Sequence, residues 1–225
     1  MDGSPNIARI GSLIGDNTRA HMLGALMHGK ALTAAELSNE AGVTAQTAST
    51  HLAKLQSGGL LSVRKQGRHK YFALANEEVA ALLETLMGLS ERSAPLKTHT
   101  GPRDTALRHS RVCYNHLAGN MGIHLYDSLI STRCLVHKDG ELNLTKKGEI
   151  AMQEFGVDLD NLRLGKSPLC RECLDWSERR SHLAGSLGRA LLSRFETLRW
   201  VRRDSHSRII KFSARGERAF KEAFP

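Results

Sequence analysis

Hydrophobic residues in the first third of the chain recur at intervals of three and four, the spacing of one helical face. Such stripes cover residues 7–14, 23–27, 48–55 and 79–87. Two short runs, Leu60–Lys65 and Lys70–Leu74, read instead as strands, and the glycine-containing segment 66–69 between them predicts a hairpin turn. The pattern therefore predicts several helices, then a β-hairpin, then a last helix.

Polar residues at the ends of these segments sharpen the prediction. Thr33 followed by Glu36 has the spacing of a capping box, and Thr44 is suited to cap the next helix. The pair Gly58-Gly59 predicts the end of that helix. The resulting order is helix, helix, short helix, turn, helix, hairpin and helix, which is a helix-turn-helix with a wing.

The second helix of such a pair lies in the major groove of DNA, where short polar side chains read base edges. A wing contacts phosphates or the minor groove, which suits cationic side chains. The predicted DNA-binding residues are Gln46, Thr47, Ser49, Thr50, His51 and Lys54 on the helix and Arg64, Lys65, Arg68, His69 and Lys70 on the wing.

The distribution of charge supports a polyanionic partner. The chain carries a net charge of +9. Between Ala41 and Asn76 there are five lysines and arginines and no carboxylate. A solvated surface is the usual explanation of a charge run, but here the run coincides with the predicted reading helix and wing. Their coincidence favours a segment that contacts the phosphate backbone.

The ordered set of short motifs in residues 5–90 resembles the ArsR-type winged-helix regulators. The stretches that carry the resemblance are 15–19, 35–37, 49–55, 59–61 and 67–74. It implies a homodimer whose first and last helices form the interface, a roughly two-fold double-stranded DNA operator, and repression of transcription. The family's usual metal sites are absent, because segment 33–37 lacks cysteine and segment 76–89 lacks histidine and aspartate.

The second half contains an internal repeat. Residues 116–122 match residues 182–188, and the later segments align after a two-residue slip. The predicted fold class is mainly α with short β-hairpins (α+β). A winged-helix domain spans 1–90, a linker spans 91–105, and a duplicated sensory or effector domain of two helix–hairpin–helix units spans 106–225.

Four cysteines leave several interpretations open. Cys113, His116, Cys170 and Cys173 supply four zinc-type ligands. However, His116 recurs as His182 in the second copy, where Arg179 occupies the position of Cys113, which favours a structural role and no metal. Nearby cations would lower a thiol pKa, so Cys113, Cys170 and Cys173 are candidates for redox or thiophilic-effector sensing. Inert buried thiols are the alternative, and Cys134 is predicted to be one.

Catalysis finds little support in the sequence. Segment 175–180 contains aspartate and serine near His182, but it lacks a nucleophile elbow and is predicted to be a helix with ion pairs and a packed Trp176. No phosphate-binding glycine loop is present, so the sequence predicts neither an enzyme nor a cofactor.

The composition, with 40% hydrophobic and 24% charged residues, is ordinary for a soluble globular protein. No apolar run approaches the roughly 20 residues that a membrane helix needs, and residues 1–5 lack the pattern of a signal peptide, so the sequence predicts a cytoplasmic protein without membrane association. The leading hypothesis is a DNA-binding transcriptional regulator with an unknown effector. The alternatives are an enzyme or small-molecule-binding domain fused to a degenerate winged helix, and a protein–protein adaptor.

Overall fold

The computed structural model describes residues 7–67, 69–93, 104–165, 167–205 and 207–225. Contacts divide the chain into two compact units, Met1–Leu83 and Glu84–Pro225. The boundary falls inside one long helix, before the predicted domain end at residue 90. Most of the predicted linker lies outside the described residues, as does Arg68 of the predicted wing.

The first unit is a winged helix-turn-helix, as the sequence predicts. Its elements are α1 (Ile7–Ile14), α2 (Asn17–Leu26), β1 (Leu32–Thr33), α3 (Ala34–Glu40), α4 (Ala45–Ser57), β2 (Leu61–Gln66), β3 (His69–Leu74) and α5 (Glu77–Ser93), which crosses the unit boundary. The strands form an antiparallel sheet in the order β1-β3-β2. Strand β1 was not predicted, because two residues are too few to show alternation.

The predicted helix ends of this unit are confirmed. Thr33 and Glu36 form a reciprocal capping box at α3, and the Thr44 side chain accepts a hydrogen bond from the backbone N–H of Thr47 at the start of α4. Helix α4 ends at Ser57 with Gly58 as its C-cap, and Gly59 takes a φ of +77°, a left-handed conformation that glycine adopts without strain. These caps set where the reading helix begins and ends.

Helix α4 is fixed by a buried face. Ala48, Leu52 and Leu55 are buried, as predicted from their helical spacing, and Leu37 of α3 is fully buried as well. Burying a leucine side chain stabilises a fold by about 1.5–3 kcal/mol. This contact face determines which side of α4 is left to solvent.

The second unit alternates hairpins and helices. Its elements are α6 (Thr105–His109), β4 (Arg111–Cys113), β5 (His116–Ala118), α7 (Asn120–Ser131), β6 (Leu135–Lys138), β7 (Glu141–Leu144), α8 (Lys146–Glu154), α9 (Leu159–Arg163), β8 (Arg171–Leu174), β9 (Ser181–Ala184), α10 (Gly185–Thr197), β10 (Val201–Arg203), β11 (Ile210–Phe212) and α11 (Ala214–Ala223). From β4, and again from β8, the order is hairpin, helix, hairpin, helix. The predicted helix–hairpin–helix order is therefore preceded in each half by a hairpin that was not predicted, and the duplication itself stays a prediction.

One local prediction in this unit is wrong. The prediction for segment 175–180 was a helix, but these residues form the turn between β8 and β9. Asp175 there accepts hydrogen bonds from the backbone N–H groups of Ser177 and Glu178, an arrangement typical of an aspartate-initiated turn. The histidines 116 and 182 lie on strands β5 and β9, at the ends of short hairpins.

The two halves of the second unit pack into each other. Helix α7 of the first half lies against β9 of the second, and α10 of the second half lies against β5 of the first. Gly122 and Gly188 also let each helix lie close to the preceding strand of its own half, because a Cβ there would lie 2.5 Å from the carbonyl oxygen of Leu117 or Leu183 respectively. The same Cβ on Gly188 would lie 3.3 Å from the Cβ of His116.

One hydrophobic core serves both halves. It includes Leu125 of α7, Leu187 and Phe195 of α10, and Phe220 of α11. Cys134 is buried in the same core, as predicted. Among the described residues, no helix is long and apolar enough to cross a membrane.

Candidate functional site

The solvent side of α4 presents a row of small and polar side chains. Gln46, Thr47, Ser49, Thr50 and Lys54 are all exposed, where the sequence placed them. They share the face opposite the buried Ala48, Leu52 and Leu55, since 3.6 residues make one turn. One open surface groove is lined by Gln46, Ser49, Thr50, Ala53, Lys54 and Ser57.

The hydroxyl groups on this face have partners within their own helix. Ser49 donates to the carbonyl oxygen of Ala45 at 2.8 Å, and Thr50 donates to that of Gln46 at 3.2 Å. Each hydroxyl therefore offers solvent its acceptor lone pairs, and threonine adds a methyl group. Among the described residues, the Gln46 amide and the Lys54 amine make no hydrogen bond, so both are available to an incoming partner.

The wing carries exposed cations on both of its strands, and two of them lie directly opposite each other. In the β2–β3 register, Lys65 lies opposite Lys70 and Arg64 lies opposite Tyr71. Arg64, Lys65, His69 and Lys70 are exposed. Like charges directly opposite each other destabilise a hairpin, and a phosphate group between them would remove that repulsion.

His51 differs from the other predicted DNA-binding residues. Its ring is half-buried, with Nδ1 lying 3.2 Å from Nη1 of Arg19 and 3.5 Å from Oδ1 of Asp16. Arg19 also donates to the carbonyl oxygens of Leu13 and Ser12. These contacts hold His51 against the first two helices, so its side chain does not lie on the solvent face of α4. The prediction that His51 contacts DNA is not supported by this position, because it was based on a sequence motif and not on which side of the helix the residue occupies.

A cluster of two thiols and two imidazoles lies in the second unit. Cys113 and His116 face each other across β4 and β5, and Cys173 and His182 face each other across β8 and β9. The Sγ atoms of the two cysteines are 3.9 Å apart, and the Nε2 atoms of the two histidines are 3.1 Å apart. All four side-chain ligand atoms lie within 4.8 Å of one another.

The cluster corrects two of the sequence interpretations. In strand register Cys173, and not Arg179, corresponds to Cys113, because the turn of the second hairpin is longer. His182 rather than Cys170 is therefore the fourth member of the group, and Cys170 lies outside it. The argument that His116 recurs without a ligand partner fails for the same reason.

Burial and neighbouring groups give the two paired thiols opposite properties. The hydrogen bond that Cys113 shares with Cys173 lowers the pKa of Cys173, and His116 and His182 lower it further against the effect of burial. The same hydrogen bond, together with burial, raises the pKa of Cys113. The pKa values of Cys113 and Cys173 are therefore shifted mainly by burial and by the other members of the cluster, and not by the surrounding cations that the sequence suggested.

Cys170 does not have the predicted lowered pKa. Burial raises the pKa of its thiol to about 12, and Arg163 only partly opposes that effect. The sequence places cations near Cys170, but solvent-facing cations stabilise a thiolate less than burial destabilises it. A reactive role for Cys170 is therefore not supported by its surroundings.

A buried ion pair flanks the cluster. An Nη2 hydrogen of Arg111 is donated to Oδ1 of Asp175 at 2.7 Å, and both side chains are fully buried. The backbone N–H of Gly119 donates to Oδ2 of Asp175 at 2.8 Å. Burial opposes ionisation of Asp175, but Arg111 and His182 hold its pKa below the usual range. Oδ2 also lies 3.9 Å from Nδ1 of His182.

Sequence reasoning missed His182 and Asp175 as site residues. A cysteine followed by a histidine occurs in both halves, and this recurrence could have indicated the site. It was not recognised because the cysteine and the histidine are separated by turns of different length in the two halves. Asp175 could not be recognised, because its partner Arg111 is 64 positions away.

By its fold and exposed cationic surface the first unit belongs to the winged helix-turn-helix DNA-binding class. Residues 14–64 match the family profile described as a helix-turn-helix domain. Over 219 residues the chain is 36% identical to the uncharacterised HTH-type transcriptional regulator YdfF of Bacillus subtilis, and the match covers 97% of each protein. It is 34% identical over 76 residues to an HTH-type transcriptional regulator of Mycobacterium tuberculosis, covering 34% of this chain and 33% of that one.

The chain therefore belongs to the HTH-type transcriptional regulators, as the sequence predicts. Among solved structures it is similar to the homodimeric winged helix-turn-helix domain of a possible ArsR-family regulator from Mycobacterium bovis. That similarity has 25% identity and a TM-score of 0.38, and it covers 46% of this chain and 100% of the other.

Proposed function

We propose that this regulator is a homodimeric repressor that recognises a specific double-stranded DNA operator with α4 and the β2–β3 wing. The observation that carries the proposal is the exposed polar face of α4 in a segment, 41–76, that contains five cations and no carboxylate. Base-edge recognition needs side chains such as Gln46 and Thr50, and phosphate contact needs cations such as Lys65.

Exposed apolar stripes support dimerisation. Helix α1 has no buried residue, and 81% of Ile7 is exposed. On α5, Leu82, Leu86 and Leu89 are exposed at helical spacing. Apolar stripes of this kind are usually covered by a partner, and a two-fold dimer would read an operator with related half-sites.

The second unit is the proposed effector domain. Its paired thiols, Cys113 and Cys173, are the groups on which an oxidant or a thiophilic effector would act. Cys170 is left out of this proposal because burial raises its pKa. Control of DNA binding by these thiols predicts that the affinity for the operator changes on mild oxidation.

The test is a binding measurement with the full chain. A duplex selected from a random pool is compared with a scrambled duplex of equal length and composition, first under reducing conditions and then after diamide treatment. Selective binding by a dimer supports the proposed reading of DNA, and a change after oxidation supports thiol control. Equal affinity for both duplexes would contradict sequence-specific recognition.

A further inference from the structure

We infer that Cys113, His116, Cys173 and His182 form a tetrahedral site for a zinc-type divalent cation in the second unit. This site lies outside the proposed DNA-binding surface, and the inference does not rest on DNA recognition, but the site includes both thiols of the proposed effector domain. It assigns a ligand to the cluster that the fold has assembled from two hairpins distant in sequence.

The spacing of the ligand atoms fits tetrahedral zinc. Zinc–sulfur bonds of about 2.3 Å and zinc–nitrogen bonds of about 2.05 Å place two sulfurs about 3.8 Å apart and two nitrogens about 3.3 Å apart. The Sγ atoms of Cys113 and Cys173 lie 3.9 Å apart, and the Nε2 atoms of His116 and His182 lie 3.1 Å apart. Because all four atoms lie within 4.8 Å of one another, small side-chain shifts would bring them around one ion.

The imidazole orientations also favour a cation. Nδ1 of His116 lies 3.2 Å from Oδ1 of Asn115, an oxygen that can only accept, so Nδ1 carries the hydrogen. The Nε2 lone pair of His116 then faces the centre of the cluster. If His182 likewise holds its hydrogen on Nδ1, towards Asp175, two lone pairs face each other at 3.1 Å. Such an approach is repulsive unless a cation lies in the cluster, or unless one ring carries a proton on Nε2 that it donates to the other nitrogen or to the Cys173 sulfur.

Asp175 provides the outer support that a zinc-bound histidine needs. Nδ1 of His182 is buried and has no hydrogen-bond partner among the described residues, while Oδ2 of Asp175 lies 3.9 Å away. A small rotation of the ring would let Nδ1 donate to that carboxylate. The resulting carboxylate–histidine–metal arrangement fixes the tautomer and strengthens the ligand.

The ligand set also indicates which ion is bound and what it does. Two thiolates and two imidazoles favour zinc over magnesium or calcium, which prefer oxygen ligands. Both cysteines bind as thiolates, and any proton still on their sulfurs passes to solvent, so the ion and its ligands are neutral together. Four protein ligands leave no open position, and two come from each half of the unit, so the ion would cross-link the halves.

The experiment uses the full chain, purified with a non-thiol reductant and without chelator. We expect one zinc ion per chain by mass spectrometry of the metal content. After the zinc is exchanged for Co²⁺, we expect the intense visible bands of a tetrahedral site and a near-ultraviolet thiolate-to-cobalt band with the intensity of two thiolates. The cobalt spectrum reads the ligand set of the wild-type protein directly, so it does not depend on a variant that folds.

Variants then identify the ligands. Cys173→Ser is expected to abolish stoichiometric zinc and to halve the thiolate band per bound cobalt, whereas the matched control Cys170→Ser should leave both unchanged. Absence of zinc together with an octahedral cobalt spectrum would overturn the inference, and so would loss of the metal in Cys170→Ser. One equivalent of another transition metal in place of zinc would overturn the choice of ion. No DNA is present, so failure here is distinct from failure of the proposed repressor function.

Discussion

The Nε2 atoms of His116 and His182 lie 3.1 Å apart although 66 positions separate the two residues. His116 begins strand β5, and His182 is the second residue of strand β9. The Cβ of each histidine lies against a glycine in the helix of the opposite half, Gly188 for His116 and Gly122 for His182. The distance between the two rings is therefore set by how the halves of the second unit pack, and not by local chain geometry.

The first prediction concerns specificity. Replacing both Thr47 and Thr50 with alanine removes a hydroxyl acceptor and a methyl group from the exposed face of α4. We expect discrimination between the selected and the scrambled duplex to fall by about 1–3 kcal/mol, with little loss of affinity for the scrambled one. Fluorescence anisotropy titrations measure both affinities. Thr197→Ala, an exposed helical threonine of the second unit, is the control, and an equal loss for both duplexes would contradict the assignment.

The second prediction concerns the wing. Alanine at both Lys65 and Lys70 removes two facing cations, so affinity should fall by a similar factor for the selected and the scrambled duplex. If each lysine neutralises one phosphate, the slope of log affinity against log salt becomes shallower by about 2. Titrations at several salt concentrations give that slope. Lys138→Ala, an exposed lysine of strand β6, should change nothing, and an unaltered slope in the double variant would place the wing away from DNA.

The third prediction concerns the close approach of Gly188 on α10 to strand β9 and to His116 of strand β5. A Cβ at position 188 would lie 2.5 Å from the carbonyl oxygen of Leu183, so Gly188→Ala should destabilise the second unit by about 1–3 kcal/mol. The same change at Gly24, in a helix of the first unit with nothing within 4 Å, should stabilise by up to about 1 kcal/mol. Urea unfolding followed by circular dichroism measures both. Changes of the same sign would refute the packing argument.

The fourth prediction concerns the buried ion pair. Asp175→Asn removes the charge that balances Arg111, and leaving that guanidinium buried and uncompensated costs about 3–5 kcal/mol. Both tryptophans of the chain lie in the second unit, so their fluorescence follows its unfolding in urea. The control is Asp127→Asn, which breaks a largely exposed pair with Arg180 and should cost less than about 1 kcal/mol. Similar effects of the two variants would mean that Arg111 finds another partner.

The fifth prediction concerns the reactivity of Cys170. The thiolate is the reactive form, and burial raises the pKa of this thiol to about 12, so only about one molecule in ten thousand is ionised at pH 8. Its alkylation by iodoacetamide, resolved by peptide mass spectrometry, should therefore accelerate about tenfold per pH unit from 7 to 9 without levelling off. In urea-unfolded protein the increase should begin to level near the ordinary thiol pKa. A plateau below pH 8 in the folded protein would show a lowered pKa instead.

Local signals in the sequence predicted much of the first unit. The capping box at Thr33, the cap at Thr44 and the buried face of Leu52 and Leu55 act within one or two helical turns, so their spacing is visible in the chain. The position of His51 could not be predicted in this way, because its environment depends on Arg19, a residue of another helix.

The second unit was harder to predict because its decisive contacts join distant residues. Three-residue strands such as β4 and β5 are too short to show alternation. The turn between Cys173 and His182 is longer than the turn between Cys113 and His116. Aligning the two halves by a constant sequence offset therefore paired Cys113 with Arg179 and not with Cys173. The recurring glycines 122 and 188 marked a repeated packing site, but not which strand each helix would contact.

The interlocked packing of α7 on β9 and α10 on β5 means that neither hairpin is positioned by its own half alone. A shift of one half against the other would change the spacing of the two sulfurs and the two imidazole nitrogens at the centre. The distances within the cluster therefore depend on the relative position of the two halves. A ligand that fixes these distances also fixes that relative position, and a rearrangement of the halves changes the distances.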